Sequence, residues 1–189
     1  MKLLFSAALG AASWSLTEHV MHRYLGHVFA RNRNFFAVEH VRHHATTSYF
    51  APAWKKGAAA AVVAAIVTPV ASMIVGPRRG LAYTAGFVST YLGYEWLHYR
   101  AHVAAPTNRY EAWLRKHHFY HHFHNPSVNH GVTSPIWDRV FGTYEKPDVI
   151  RVPARHAMPW LRDPETGKLD PRFAADYEIV DKRKPKAAA

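Results

Sequence analysis

The 189-residue chain contains no cysteine, which excludes disulfide frameworks, zinc fingers and iron–sulfur clusters. Acidic residues are also scarce: 13 Asp and Glu face 24 Lys and Arg, which leaves a formal net charge of +11. A nucleic acid could attract such a charge, but no nucleic-acid recognition motif is evident. We therefore expect no nucleic-acid partner and expect contact with anionic lipid headgroups instead.

Charge is missing altogether from residues 57–76, which read GAAAAVVAAIVTPVASMIVG and are long enough to span the hydrocarbon of a bilayer. A second apolar stretch at 81–97 is interrupted only by Glu95, and Pro77 and Gly80 indicate a tight turn between the two. The pattern predicts a transmembrane hairpin, with a pair of buried helices in a soluble protein as the alternative.

Residues 3–17 form a third apolar segment, which resembles a secretory signal. Glu18, His22 and His27 follow it directly, and cleavage would leave them on a frayed end. We therefore expect an uncleaved membrane helix.

Histidine is abundant where cysteine is absent. Ten of the 15 histidines fall into four groups with the spacings HxxxxH, HxxHH, HxxxH and HxxHH. The groups are His22 and His27; His40, His43 and His44; His98 and His102; and His118, His121 and His122. Imidazole is the commonest protein ligand of borderline metals, and one zinc needs about four ligands. Ten imidazoles therefore predict a dinuclear, all-histidine metal site rather than a local metal-scavenging tract.

The spacing of the histidines within the groups is typical of an α-helix. Residues three and four apart share one helix face, so the last three groups can each aim their rings at one point. His22 and His27 fit less well, because five residues turn an α-helix by roughly 140°. Gly26 precedes His27, and we expect the helix to bend or end there. The remaining histidines are expected to lie outside the ligand set: His19, His117, His124, His130 and His156.

Carboxylates flank three of the groups. Only four acidic residues precede Trp137, and three of them, Glu18, Glu39 and Glu95, stand next to or within four residues of a predicted ligand. Ligating histidines commonly donate their second N–H to a carboxylate or a carbonyl. We predict that these three glutamates orient the ligands, with ordinary ion pairing to nearby arginines as the alternative.

All four groups should lie on one membrane face, because the hairpin crosses twice between the second and third groups. Lys and Arg are concentrated beside the groups, and such an excess marks the cytoplasmic side. Arg78 and Arg79 in the opposite turn argue weakly against this orientation.

The predicted fold class is all-α: an integral membrane helical protein with its histidine-rich dimetal site on the cytoplasmic face. We expect a membrane domain over 1–147 and a tail rich in proline and charge over 148–189. In that tail, Trp160, Phe173 and Tyr177 should pack under the catalytic face, and the last eight or so residues should be mobile.

The boxes, in this order, resemble those of the fatty acid hydroxylase superfamily, which contains sphingolipid and fatty acid hydroxylases, sterol desaturases and carotenoid hydroxylases. The resemblance runs from EHVMHRYLGH at Glu18 to Pro147 and includes GVTSPIWDRVFGT, which is similar to the segment after the family's last histidine box. Physically, TSPIWD indicates a turn, after which Trp137 and Phe141 could pack against the last ligand helix.

The resemblance of the histidine boxes to those of this enzyme family implies that the dimetal site forms a helical catalytic cap. It implies two iron ions, O₂ as oxidant and an alkyl C–H bond as target. Zinc could replace iron in purified protein, since zinc binds such ligands more tightly than ferrous iron. The resemblance also implies a separate electron donor of the cytochrome b5, ferredoxin or flavodoxin type, because we expect no fused cytochrome b5 domain. The chain has fewer apolar spans than the larger members, and a homo-oligomer could complete the substrate channel.

We therefore expect a membrane-bound, di-iron, O₂-dependent hydroxylase of a fatty-acyl C–H bond. It would be a multi-pass protein of a bacterial inner membrane or an endoplasmic reticulum, with its active site in the cytoplasm. Carotenoid ring hydroxylation and sterol or acyl desaturation are the alternatives within this class. A non-redox zinc-binding membrane protein is the alternative from another class.

Overall fold

A computed structural model describes residues 1–181, and three long helices form its framework. These are α1 (Lys2–Val20), α3 (Ala53–Val75) and α4 (Pro77–Val103). Helix α4 packs against both of the others along its length. Gly10 of α1 and Gly86 of α4 permit a close crossing, because a Cβ at either position would collide with a backbone carbonyl oxygen of the facing helix. The crossing fixes α1 against α4 and so sets where their histidines emerge.

Among the described helices, only α3 is long and apolar enough to cross a membrane. Its most apolar window has a mean hydropathy of 2.3, and only 6% of that window is buried. The exposed side chains along it include Val62, Ile66, Met73 and Ile74. The apolar segments expected at 3–17 and 81–97 are helical and lie within α1 and α4. By length and composition, neither of these helices is apolar enough to count as a candidate membrane span. A multi-pass arrangement therefore remains a prediction.

Helix α1 runs without a break into a π-helical segment, Met21–Val28, which carries the first histidine group. The predicted bend or end at Gly26 is wrong. The wider turn of a π-helix, with bonds from residue i to i+5, brings residues five apart close together. Gly26 serves a different purpose, because a Cβ there would lie 2.9 Å from Cδ2 of His40.

The remaining helices lie together at one end of this framework and are called the cap. They are α2 (Phe35–Ala45), α5 (Arg109–Phe123) and α6 (Ile136–Val140). Asn34 and Asn108 cap α2 and α5, since the Oδ1 of Asn34 accepts from the backbone N–H of Ala37 at 2.9 Å and that of Asn108 from Glu111 at 2.9 Å. Single 3₁₀ turns occur at Ala30–Asn32, Ala154–His156, Pro159–Leu161 and Pro171–Phe173.

The all-α prediction needs a correction at the C-terminal side. Strands β1 (Ile150–Pro153) and β2 (Tyr177–Val180) form a parallel pair with Ile150 opposite Tyr177. Ile150 and Val152 are fully buried in the core that also contains Leu114 and Phe119 of α5. The alternation of buried and exposed residues over four positions is too short to stand out in the sequence. A separate tail beginning at 148 thus stays a prediction, while the described part of it shares the core of the cap.

Aromatic residues attach this segment to α4 and to α5 of the cap, as expected. Trp160 donates its indole N–H to the carbonyl oxygen of Ala101 in α4 at 3.1 Å, stacks on Phe119 of α5 and contacts the rings of Phe173 and Tyr177. The residues predicted to be mobile, 182–189, lie outside the described part of the chain.

Candidate metal centre

The structure brings together all ten histidines of the four boxes and divides them into two clusters of five. In each cluster, one ring nitrogen per residue lies within 4.8 Å of the others. The first cluster consists of His22, His27, His40, His44 and His121. The second cluster consists of His43, His98, His102, His118 and His122. The histidine groups of the sequence are therefore not the groups of the site, because two boxes contribute to both clusters.

The distances within the clusters match those between ligands of one ion. Neighbouring Nε2 atoms lie 2.9–3.2 Å apart in the first cluster and 3.0–3.1 Å apart in the second. Two nitrogens that each lie about 2.1 Å from a common centre, at roughly 90°, are about 3.0 Å apart. Each cluster could therefore hold one metal ion.

Backbone carbonyls decide which ring nitrogens face the cluster centres. The Nδ1 of His22 donates to the carbonyl oxygen of His130 at 2.5 Å, and that of His121 donates to Val128 at 2.8 Å. In the second cluster, the Nδ1 of His43 donates to Tyr49 at 2.8 Å. A neutral imidazole with a protonated Nδ1 presents an unprotonated Nε2. The lone pairs of these rings thus point into the clusters, as metal ligation requires.

The two clusters adjoin along two pairs of consecutive histidines. His43 and His44 of α2 belong to different clusters, and so do His121 and His122 of α5. The rings of His44 and His122 stack at 4.1 Å between centroids. This division along two helices places two ion sites side by side and accounts for the doublets in both HxxHH boxes.

Burial keeps the rings uncharged. Desolvation lowers the pKa of His27 and of His43 to about 4, and it lowers the pKa of His22 and of His118 well below the usual range. Neighbouring rings act in the same direction at His22 and His118, because one imidazolium disfavours another. The histidines are therefore neutral at physiological pH and available as ligands.

Comparison with known proteins agrees with this site. The family model described as fatty acid hydroxylase matches residues 7–143, which include all four boxes. The chain belongs to the fatty acid hydroxylase family. The resemblance drawn from the boxes is thereby confirmed.

Individual members of the family are moderately similar to this chain. The dihydroceramide fatty acyl 2-hydroxylase FAH2 of Arabidopsis thaliana is 28% identical over 155 residues, covering 72% of this chain and 59% of its own length. The ceramide very long chain fatty acid hydroxylase scs7 of Schizosaccharomyces pombe is 30% identical over 142 residues, covering 71% of this chain and 41% of its own. The match thus spans about half the length of these relatives.

A solved structure of full-length scs7p, in which only the hydroxylase domain is visible, shares the fold. The TM-score is 0.58 at 27% sequence identity, and the match covers 77% of this chain and 58% of that one. The arrangement of helices around the clusters is therefore that of a hydroxylase domain.

The carboxylates expected to orient the ligands of this family member have other partners. Glu18 accepts from the backbone N–H and the hydroxyl of Thr133, at 3.1 and 2.8 Å. Glu39 pairs with Lys55 at 2.6 Å, and Glu95 pairs with Lys56. Two of the three glutamates, Glu39 and Glu95, thus form ion pairs, with lysines rather than with the arginines that the sequence suggested. The start of α3 places Lys55 and Lys56 against α2 and α4, a long-range contact that residue spacing does not reveal.

Asp138 is the buried acid that the sequence analysis missed. Its Oδ1 accepts from the backbone N–H of His130 at 2.8 Å and from the hydroxyl of Thr143 at 2.8 Å, and its Oδ2 accepts from the N–H of Gly131 at 2.8 Å. Burial raises the pKa of Asp138, but His117 and these donors outweigh burial and hold it well below the usual range. Asp138 is therefore a fixed anion that positions the His130 carbonyl, the acceptor for His22.

The segment around Asp138 packs differently from the sequence prediction. Trp137 donates its indole N–H to the hydroxyl of Ser15 at 3.2 Å, and the ring of Phe141 stacks on His19 at 5.2 Å. Both partners belong to α1, whereas the sequence interpretation placed these rings against α5, a contact that stays a prediction. IWDRV carried a partial signal, because Asp138 stands between Trp137 and Arg139 in a largely apolar segment, and a buried carboxylate requires partners.

An apolar cavity of about 620 Å³ leads to both clusters. His40 of the first cluster and His43 and His98 of the second lie in its wall. The rest of the wall comes from α1, α3 and α4, including Trp14, Ala60, Val63, Phe87 and Tyr94. Lys55, Lys56 and their glutamate partners also line it. The cavity thus connects the apolar helices with the candidate metal centre.

Proposed function

We propose that this protein is a membrane-bound, di-iron, O₂-dependent hydroxylase that acts on a fatty-acyl C–H bond. The observation that carries the proposal is the apolar cavity, whose wall contains histidines of both clusters. A long alkyl chain is the ligand that such a cavity accepts best. The relatives support an acyl substrate over a carotenoid or a sterol, since they are named as fatty acyl and ceramide hydroxylases.

The ten clustered imidazoles fit two iron ions, one for each cluster. The spacing of about 3.0 Å between ring nitrogens favours a cation at each centre, and the opposed lone pairs of His22 and His121 add to this at the first. Bound iron supplies the one-electron chemistry with O₂, which zinc lacks for want of an accessible redox step. Zinc could still occupy the sites of purified protein.

The chain's own residues bind and orient the substrate. Trp14, Phe87 and Tyr94 form an aromatic wall on the α1 and α4 side of the cavity, with Trp14 and Phe87 edge to face at 5.4 Å between centroids. Tyr94 stacks on His98 at 5.7 Å, so an acyl chain lying against Tyr94 reaches the second cluster. These side chains exclude water from the reacting carbon and hold it beside the histidines.

The proposal also includes a source of electrons and an orientation of the protein in the membrane. Insertion of one oxygen atom from O₂ into a C–H bond requires two electrons and two protons, and releases water. A separate donor of the cytochrome b5, ferredoxin or flavodoxin type would supply the electrons on the cytoplasmic face. The excess of Lys and Arg beside the clusters supports this orientation. Multiple crossings by α1, α3 and α4, and a homo-oligomer that closes the channel, belong to the same proposal.

Reconstitution tests the reaction. Detergent-purified full-length protein loaded with ferrous iron, given O₂, an electron donor and mixed acyl lipids, should yield a product heavier by one oxygen atom. His98→Ala should abolish turnover, while His156→Ala, outside both clusters, should retain most of it. A product lighter by two hydrogens would identify a desaturase instead. No product with any donor, from protein that holds two iron ions, would contradict both oxidations and favour the zinc-binding alternative.

A pair of variants tests the cavity separately. Ala60→Phe introduces a ring into the cavity wall of α3, whereas Ala65→Phe places the same ring on an exposed part of that helix, outside the cavity. The first variant should raise the KM for long acyl chains or abolish turnover, and the second should behave as wild type. Equal activity of the two variants would show that the acyl chain does not use this cavity.

A further inference from the structure

A second group of buried histidines lies outside both clusters and surrounds Asp138. His19, His117, His130 and Asp138 are each at most 1% exposed. Within the described residues, neither ring nitrogen of His19 or His117 makes a hydrogen bond of regular geometry, and neither does Nδ1 of His130, although His117 and His130 lie near enough to Asp138 to lower its pKa. Unpaired buried polar atoms are rare in native proteins, and each one calls for an explanation.

The distances around Asp138 are those between metal ligands rather than those of hydrogen bonds. Nδ1 of His19 lies 3.5 Å from Oδ1 of Asp138, and Nδ1 of His130 lies 3.7 Å from the same oxygen. Hydrogen bonds of this type are usually about 2.9 Å long. Two ligand atoms about 2.1 Å from one ion, at the tetrahedral angle, are about 3.4 Å apart. One ligand atom from each of the three residues lies within 4.8 Å of the others.

The chemistry of the three residues also fits a divalent cation. Asp138 is held as an anion by backbone and hydroxyl donors, and burial lowers the pKa of His19 to about 4 against the attraction of Asp138. His19 is therefore a neutral ligand at physiological pH. Two imidazoles and one carboxylate form a set that zinc and ferrous iron both bind. The stacking of His19 on Phe141 fixes the plane of its ring.

We propose that His19, His130 and Asp138 form a third, mononuclear site for a divalent metal ion such as zinc. His117 lies at the opposite carboxylate oxygen, with its Nε2 3.4 Å from Oδ2. The site would link the end of α1 to α6 through the 129–131 loop. Since the carbonyl of His130 in that loop accepts from His22, an ion here would also stabilise the first cluster. The proposal does not depend on the reaction catalysed.

Metal counting tests the site on the intact protein. Full-length chain in detergent is saturated with zinc and desalted, and zinc per chain is measured by mass spectrometry. Wild type should hold three ions, and His19→Phe, which preserves the stacking on Phe141, should hold two. The control His156→Phe should hold three. Two ions in wild type, unchanged by His19→Phe, would overturn the proposal, and so would three ions in both proteins.

The outcome separates this site from the dinuclear centre. Should the ten-histidine centre bind nothing, wild type would hold one ion and His19→Phe none, a result that supports the third site alone. If His19→Phe does not fold, a crystal of the zinc-loaded wild-type protein still tests the site. Anomalous scattering at the zinc edge should show a peak within about 2.1 Å of Asp138 Oδ1. Peaks confined to the two clusters would overturn the proposal.

Discussion

The Nε2 atoms of His22 and His121 lie 3.0 Å apart, although each ring donates its Nδ1 proton to a backbone carbonyl oxygen. Two unprotonated nitrogens at this distance repel each other, since neither has a proton to share. A cation between them turns this repulsion into attraction. The geometry of the first cluster thus favours a bound cation, and the Nε2 atoms of His43 and His98 lie at a similar distance, 3.1 Å, in the second.

Metal removal should therefore destabilise the protein. An ion that binds only the folded chain, at a free concentration 100 times its Kd, stabilises by about 2.7 kcal/mol. For a chain of this size, chelation should lower the Tm by roughly 5–10 °C per site under such conditions. Differential scanning fluorimetry before and after chelation measures the change, and metal addition should reverse it. An identical Tm with and without metal would mean that the clusters fold without ions.

Gly26→Ala should disturb the first cluster. The new Cβ would lie 2.9 Å from Cδ2 of His40 and 3.2 Å from Cε1 of Phe36, whose rings stack on each other. Overpacking of this kind costs about 1–3 kcal/mol of unfolding free energy. Because His40 must move, one of the two ions should also bind more weakly, which a competitive chelator titration measures.

Gly93→Ala is the matched control for that variant. Gly93 lies within α4, and a Cβ there meets no atom within 4 Å. The substitution should change stability by no more than about 1 kcal/mol and leave both metal affinities unchanged. If the two alanine variants have the same stability and metal affinities, the close approach of Gly26 to His40 does not affect the first cluster.

The sequence predicts the clustered histidines better than it predicts the groups that orient their rings. Spacing alone identified the ten clustered histidines, because helical periodicity dictates which side chains share a face. It could not assign His43 and His44 to different clusters, since that depends on how α2 meets α5. The acceptors for His22 and His121 are backbone carbonyls, which carry no residue-type signal. The role of Asp138 was not predicted for a related reason, because two of its donors are the backbone N–H groups of His130 and Gly131.

The metal-free protein should lose stability on acidification. His27 and His43 have folded-state pKa values of about 4, lowered from 6.5 by burial. Between these values the unfolded chain binds more protons than the folded one, so acidification favours unfolding. The Tm of chelated protein should be constant above about pH 7 and fall as the pH drops from 6.5 towards 4. The double variant with His27→Gln and His43→Gln should show a shallower fall, and a slope equal to wild type would exclude these two rings as its cause.

Membrane orientation can be tested with single cysteines, because the natural chain has none. Arg31 is exposed beside the cap, and Arg78 is exposed in the first turn of α4, next to the end of α3. If α3 crosses the membrane with the cap in the cytoplasm, a membrane-impermeant thiol reagent applied to intact cells should label Arg78→Cys. It should label Arg31→Cys only after permeabilisation, and the cysteine-free wild type should stay unlabelled throughout. The reverse pattern would place the metal centre outside and remove its access to cytoplasmic electron donors. Labelling of both variants from the same side would show that α3 does not cross, and that its exposed apolar side chains are covered by another partner.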